Sequence, residues 1–366
     1  MDKKLFRGWW QAKVPCRAWC FCLATGSPKR LIIHIVLTIA VIIFCVSCNR
    51  ERNTNSVLEL PIVGVENSSV KEDSFYDESV LKPIVTDLGL IVHWEKDSWR
   101  IPQYEVFSWD IFSDIAPILI FDYADYGVQD RMLKRLAFYV EKAGFRGRLS
   151  QDSEIAHLHG WNAHNYRAVD LARFFDTARK QNFPLLDEEW ELEKILLNEK
   201  IIRMENGNIV PGRGAILSIA RDSTSQLRWR FLAHEGFHGL YFVDEDFRNF
   251  CRRRWEGLPE NAKRFIIAYF DHQQYDTADE YLLINEFMGH IMQQSIPQIA
   301  DYFGRNLPAR LENTQRASEL PQKDSATNTW PELATTFTEE AQALSEYVNQ
   351  RWGFTAGRVW AQGTRN

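Results

Sequence analysis

Leu227–Asp244 reads LRWRFLAHEGFHGLYFVD, and within it His234-Glu235-Gly236-Phe237-His238 sets two histidines four apart, with a glutamate after the first. Trp229, Leu232, Leu240 and Val243 recur at helical spacing, so the stretch predicts one helix packed against a core. Residues four apart on a helix project from one face about a turn apart, which suits two imidazole nitrogens on a single zinc ion. Glu235 then lies beside the open coordination position, where a base takes a proton from metal-bound water. This constrains the fold strongly, because any architecture must shelter a polar helix face without losing its partners. The competing reading is a core helix whose histidines are only buried and hydrogen-bonded.

The N-terminal fifty residues are a different object. Lys3, Lys4, Arg7, Lys13, Arg17, Lys29 and Arg30 stand against one acid, Asp2, and Leu31–Val46 follows as an almost unbroken apolar run. A basic flank, an apolar stretch and small residues are the pattern of a secretory signal. The run ends Val46-Ser47-Cys48-Asn49, which resembles a bacterial lipobox with Cys48 as the lipidated residue, although Cys45 stands where Leu or Val is usual. An uncleaved signal anchor is the alternative, since sixteen to eighteen apolar residues nearly span a bilayer. Simple secretion is a third reading; all three put the body of the protein outside the cytoplasm, and the first two anchor it to the membrane in the cell envelope.

The first 47 residues hold seven of the chain's 43 basic residues and one of its 49 acidic ones, leaving a net charge of −12 beyond them. A body that acidic is a poor partner for nucleic acid. Of the six cysteines only Cys251 lies beyond Cys48, so a mature form has no intrachain disulfide and depends on its core.

Arg50–Lys82 is polar with weak periodicity and reads as part of a tether. Leu90–Trp94, Tyr104–Trp109 and Pro117–Tyr123 have the length and composition of strands. Asp125–Ala143, Ala168–Lys180 and Asp187–Glu199 show helical spacing, and Asn206-Gly207 between apolar residues signals a hairpin. Ala215–Ala220 reads as a strand directly before the histidine helix, with Asp222, Ser223, Thr224 and Ser225 as possible caps. Helices are expected over Pro259–Phe270, Thr277–Gln294 and Phe337–Trp352, with a long loop at Asn306–Thr329. His157, His159 and His164 match no metal spacing and read as loop histidines, with Trp161 as a packing anchor.

The segment from about 214 to 294 resembles the zincin metallopeptidases. The resemblance implies a zinc cofactor, a polypeptide substrate, and an edge strand beside the helix that pairs with extended substrate, a role in which it casts Ala215–Ala220. Zinc then needs a third protein ligand. The metzincin pattern would place it at Asp244, but Tyr241 occupies the position of the turn glycine. The gluzincin pattern takes a glutamate from a later helix. Asn285-Glu286 is similar to its Asn-Glu-x-x-x-Asp element, with His290 in place of the final acid. Glu286 is therefore the expected ligand, with Asp244, Asp279 and Glu280 as rivals. Its bland alternative is the solvent side of a helix whose apolar face is Leu283, Ile284, Phe287, Met288 and Ile291. Tyr275, Tyr281 and His290 are candidate donors to a developing oxyanion.

The expected architecture is α+β and mostly helical. It comprises a signal over 1–47, a tether over 48–84, an N-terminal α+β region over 85–213, a zincin-like catalytic region over 214–304, and a loop and helix over 305–366. His234, His238 and Glu286 are the expected zinc ligands and Glu235 the expected base. Two other readings stay open: a zinc amidase acting on cell-wall material, because the chemistry is the same for any amide, and an envelope lipoprotein that only binds.

Overall fold

Six-residue, mostly apolar runs at Tyr104–Trp109, Ile118–Tyr123 and Ala215–Ala220 are buried throughout, and they form the middle of the sheet. The structure, a computed structural model, describes residues 76–112 and 116–360. The signal, Cys48 and most of the tether lie outside the described residues. The chain opens with β1 (Ile84–Thr86), α1 (Leu88–Ile91), β2 (Tyr104–Trp109), β3 (Ile118–Tyr123), α2 (Tyr126–Glu141) and α3 (Asp152–Ile155). It continues with β4 (His164–Arg167), α4 (Ala168–Lys180), α5 (Asp187–Asn198), the hairpin β5 (Ile202–Glu205) and β6 (Asn208–Pro211), and β7 (Ala215–Ala220). Helices follow: α6 (Ser225–Val243), α7 (Glu245–Glu256), α8 (Glu260–His272), α9 (Glu280–Met292), α10 (Ile296–Asp301), α11 (Pro308–Leu311) and α12 (Pro331–Trp352).

The main sheet has the order β1-β2-β3-β7-β4, with β1–β2 and β3–β7 parallel and the other pairs antiparallel. Successive strand residues face opposite sides. In β7, Leu217 and Ile219 enter a core with α6, α8, α9 and α12, while Ile216 and Ala220 enter a second core with α2, α4 and α5. The result is a mixed α+β body with helices on both faces of the sheet. Strand β7 bonds to β3 and β4, so the sheet joins strands from both sides of the division at residue 214.

Three expectations change. Ala215–Ala220 is not an edge strand, because β3 and β4 flank it on either side; the edge beside α6 is β4. Leu90–Trp94 is not a strand, because Asp87 caps the Gly89 amide at 2.7 Å and starts the helical turn α1. The Asn306–Thr329 loop is not bare: it holds α11 and a short 3₁₀ turn at Ala317–Glu319. The hairpin turn is as expected, with Asn206 and Gly207 at φ 52° and 77°. Among the described residues no helix is long and apolar enough to cross a membrane.

Candidate metal centre

Helix α6 starts at Thr224, whose hydroxyl caps the Leu227 amide, and it lies along the sheet face that carries Leu217 and Ile219. Leu232, Phe237 and Leu240 are fully buried there, which turns His234 and His238 toward α9. Close approach needs small residues. A Cβ on Gly236 would come within 2.7 Å of Val359, and one on Gly239 within 3.2 Å of Ile118.

From α9, Glu286 meets the two histidines. The two imidazole Nε2 atoms are 3.0 Å apart, and each lies 3.8 Å from one oxygen of Glu286. Glu286 is 1% exposed, so the solvent-side alternative fails: its helix is sandwiched between α6 and the later helices and has no free face at this position. Gly289, three residues on, is the gap that admits the rings, since a Cβ there would lie 2.6 Å from His238 and 2.9 Å from His234. Asn285 Oδ1 accepts from His238 Nδ1 at 2.8 Å, which leaves the Nε2 lone pair facing the cluster. Sequence reading left open what orients the histidines. For His238 it is the residue next to the glutamate.

The donor set suits a zinc ion. Zinc bonds of about 2.0–2.1 Å put tetrahedral ligand atoms roughly 3.3–3.4 Å apart, within the 3.0–3.8 Å range found here. Glu286 Oε2 is buried without a hydrogen-bond partner, and burial raises its carboxyl well above the ordinary range, with Glu141 and Glu235 adding to the effect. Burial also lowers His234 to about 4, keeping its imidazole neutral and able to donate a lone pair. Two imidazole nitrogens that face each other and a carboxylate with one unpartnered oxygen form a cluster that a cation would complete.

Glu235, next to His234 on α6, is held from β4. It is 4% exposed, and its Oε2 accepts from Asn165 Nδ2 at 2.8 Å. Burial raises its carboxyl to about 8, against the Asn165 hydrogen bond, which favours the ionised form.

The rival ligands lie away from the cluster. Asp244 caps α7 through Phe247 N at 2.7 Å and pairs with Arg351. Asp279 caps α9 and pairs with Arg146, while Glu280 is exposed in the first turn of α9. Of the candidate oxyanion donors, Tyr281 sits under the Arg167 guanidinium at 4.0 Å, and His290 Nδ1 meets Tyr302 Oη at 3.0 Å. Tyr275 stacks on Trp161 at 5.3 Å with its hydroxyl toward Glu286, where it offsets part of the rise in that carboxyl. His157 and His159 are exposed, but His164 is not a loop histidine: it is 1% exposed in β4, with Nδ1 2.8 Å from Ser218 Oγ.

Asn165 and Gly289 were missed by sequence reading. Gly289 carried a signal, a small residue one turn beyond the expected ligand; Asn165 carried none. Comparison with family models, with characterised proteins and with solved structures gave no match, so the functional reading stands on this geometry.

Proposed function

We propose that this chain is a zinc-dependent metallopeptidase of gluzincin type, working in the cell envelope from an N-terminal lipid or signal anchor. The observation that carries the reading is the convergence of His234, His238 and Glu286 with an unpartnered buried carboxylate oxygen, beside a separately held Glu235. His234, His238 and Glu286 would hold the metal, and Asn285 fixes the ring of His238. Bound zinc supplies Lewis acidity, which polarises an amide carbonyl and makes water nucleophilic at neutral pH.

The chain's own groups do the rest. Glu235 accepts the proton of the attacking water and delivers it to the leaving amine. Its buried setting keeps it basic, because desolvation opposes a lasting charge. Tyr275 is the best-placed donor to the developing oxyanion, with its ring fixed against Trp161. Strand β4 has no strand partner on its outer side among the described residues, and so offers backbone groups to an extended polypeptide.

The test is E235Q, with casein as substrate and bound zinc measured alongside. Turnover should vanish while zinc stoichiometry stays at one per chain; an E235Q chain that still hydrolyses casein overturns the assignment of the base. Peptidoglycan in place of casein separates a peptidase from a cell-wall amidase.

A further inference from the structure

Strand alternation divides β4 between the two faces of the sheet. His164 and Tyr166 enter the side of α2 and α4, where His164 meets Ser218 and Tyr166 joins the apolar core. Asn165 and Arg167 take the α6 side, and Asn165 is in register with Leu217. Asn165 therefore reaches α6 from the outermost strand, and its Nδ2 donates to Glu235 Oε2 across 70 residues of sequence. The other oxygen of Glu235 has no hydrogen bond within the protein among the described residues.

The kind of donor matters. A cation at this place would hold Glu235 as an anion and blunt its basicity, whereas a neutral amide fixes the carboxylate plane without cancelling its charge. Arg167, two residues along on the same face, is the cation that could interfere. It is kept away by Asp170 at 2.5 Å and by stacking on Tyr281. Asn165 also lines a small cleft with Arg167, Tyr281 and Asn285, so one amide stands between the base and the surface that would receive substrate.

We propose that Asn165 is a positioning residue: from the edge strand it holds the Glu235 carboxylate so that its free oxygen faces the reacting water. The proposal rests on Glu235 being the base. It links the strand that would carry substrate to the group that moves the proton.

The experiment measures kcat, KM and zinc content of the zinc-loaded full chain on an unstructured fluorogenic peptide, for wild type, N165A and N165D. N165A should lose about 10–100-fold in kcat, the range for outer groups that orient a catalytic one. Its KM should stay within about twofold and its zinc content unchanged. N165D keeps the shape, and so the fold, but faces Glu235 with a second carboxylate; it should fall below N165A. A wild type without hydrolysis removes the base assignment and this proposal with it. An active wild type with N165A or N165D at full kcat removes this proposal alone. A parallel loss of kcat, substrate affinity and zinc also overturns it, because the amide would then only pin β4 to α6.

Discussion

Asp122 and Glu286 are both carboxylates with almost no exposure, and the protein provides for them in opposite ways. Asp122, on β3, receives two bonds from Arg228 of α6 at 2.7 and 2.9 Å and a third cationic contact from Arg221 at 2.8 Å. Both oxygens find a fixed cation, and the cluster ties the sheet to the start of α6. Among the described residues Glu286 has no guanidinium or ammonium beside it. Its near neighbours are two imidazoles that burial keeps neutral, and one of its oxygens has no partner. Burial of a charge is tolerated where its counter-charge is built into the chain; where it is not, the site is suited to a cation from solution. Exposure alone does not separate the two. The identity of the neighbours does.

Three measurements would break or sharpen that contrast. The largest effect on stability should come from R228M, which leaves Asp122 with only half of its cations. Removing one partner of a buried pair costs about 3–5 kcal/mol, so the urea midpoint should fall sharply with or without zinc; a near-neutral R228M would mean that the Asp122 cluster is not structural.

Next comes the response to metal. Zinc at a hundred times its dissociation constant should stabilise the metal-free wild type by about 2.7 kcal/mol, and E286Q should lose most of this gain. Metal-free E286Q should be no less stable than metal-free wild type, because the substitution removes a buried carboxyl that must either take up a proton or ionise without a counter-charge. Equal zinc stabilisation of both proteins would dismiss Glu286 as a ligand.

The smallest effect is expected from G289A. Its methyl would press on both imidazoles, costing about 1–3 kcal/mol, partly offset by the better helix propensity of alanine, about 1 kcal/mol. Zinc titration should show weaker binding than wild type; unchanged affinity would mean that the rings have room to move.

Much of this molecule could be read from local pattern. The span of α4 and the hairpin turn at Asn206-Gly207 follow from spacing and turn chemistry. The pairing of His234 with His238 follows from the 3.6-residue helical period, which needs no tertiary information. The Asn285-Glu286 pair was legible as well, since neighbours on one helix arrive together. What pattern could not supply was the order of strands. Ala215–Ala220 reads equally as a centre or an edge strand, because burial on both faces gives the same apolar run. The four-residue strand at His164–Arg167 was hidden for a different reason: it is too short and too polar to show an apolar alternation.

Sequence by itself determined which side chains are able to bind a metal and which glutamate stands next to the histidines, because both are properties of one helix at a time. Only the tertiary structure decided that Glu286 faces inward, that Asp244 and Asp279 are spent on caps and arginines, and that the edge strand holding Glu235 is β4 through Asn165. Those choices depend on which elements pack together across 47 to 133 residues of chain. Helical period and local propensity carry no information at that distance; burial and the matching of polar groups set it.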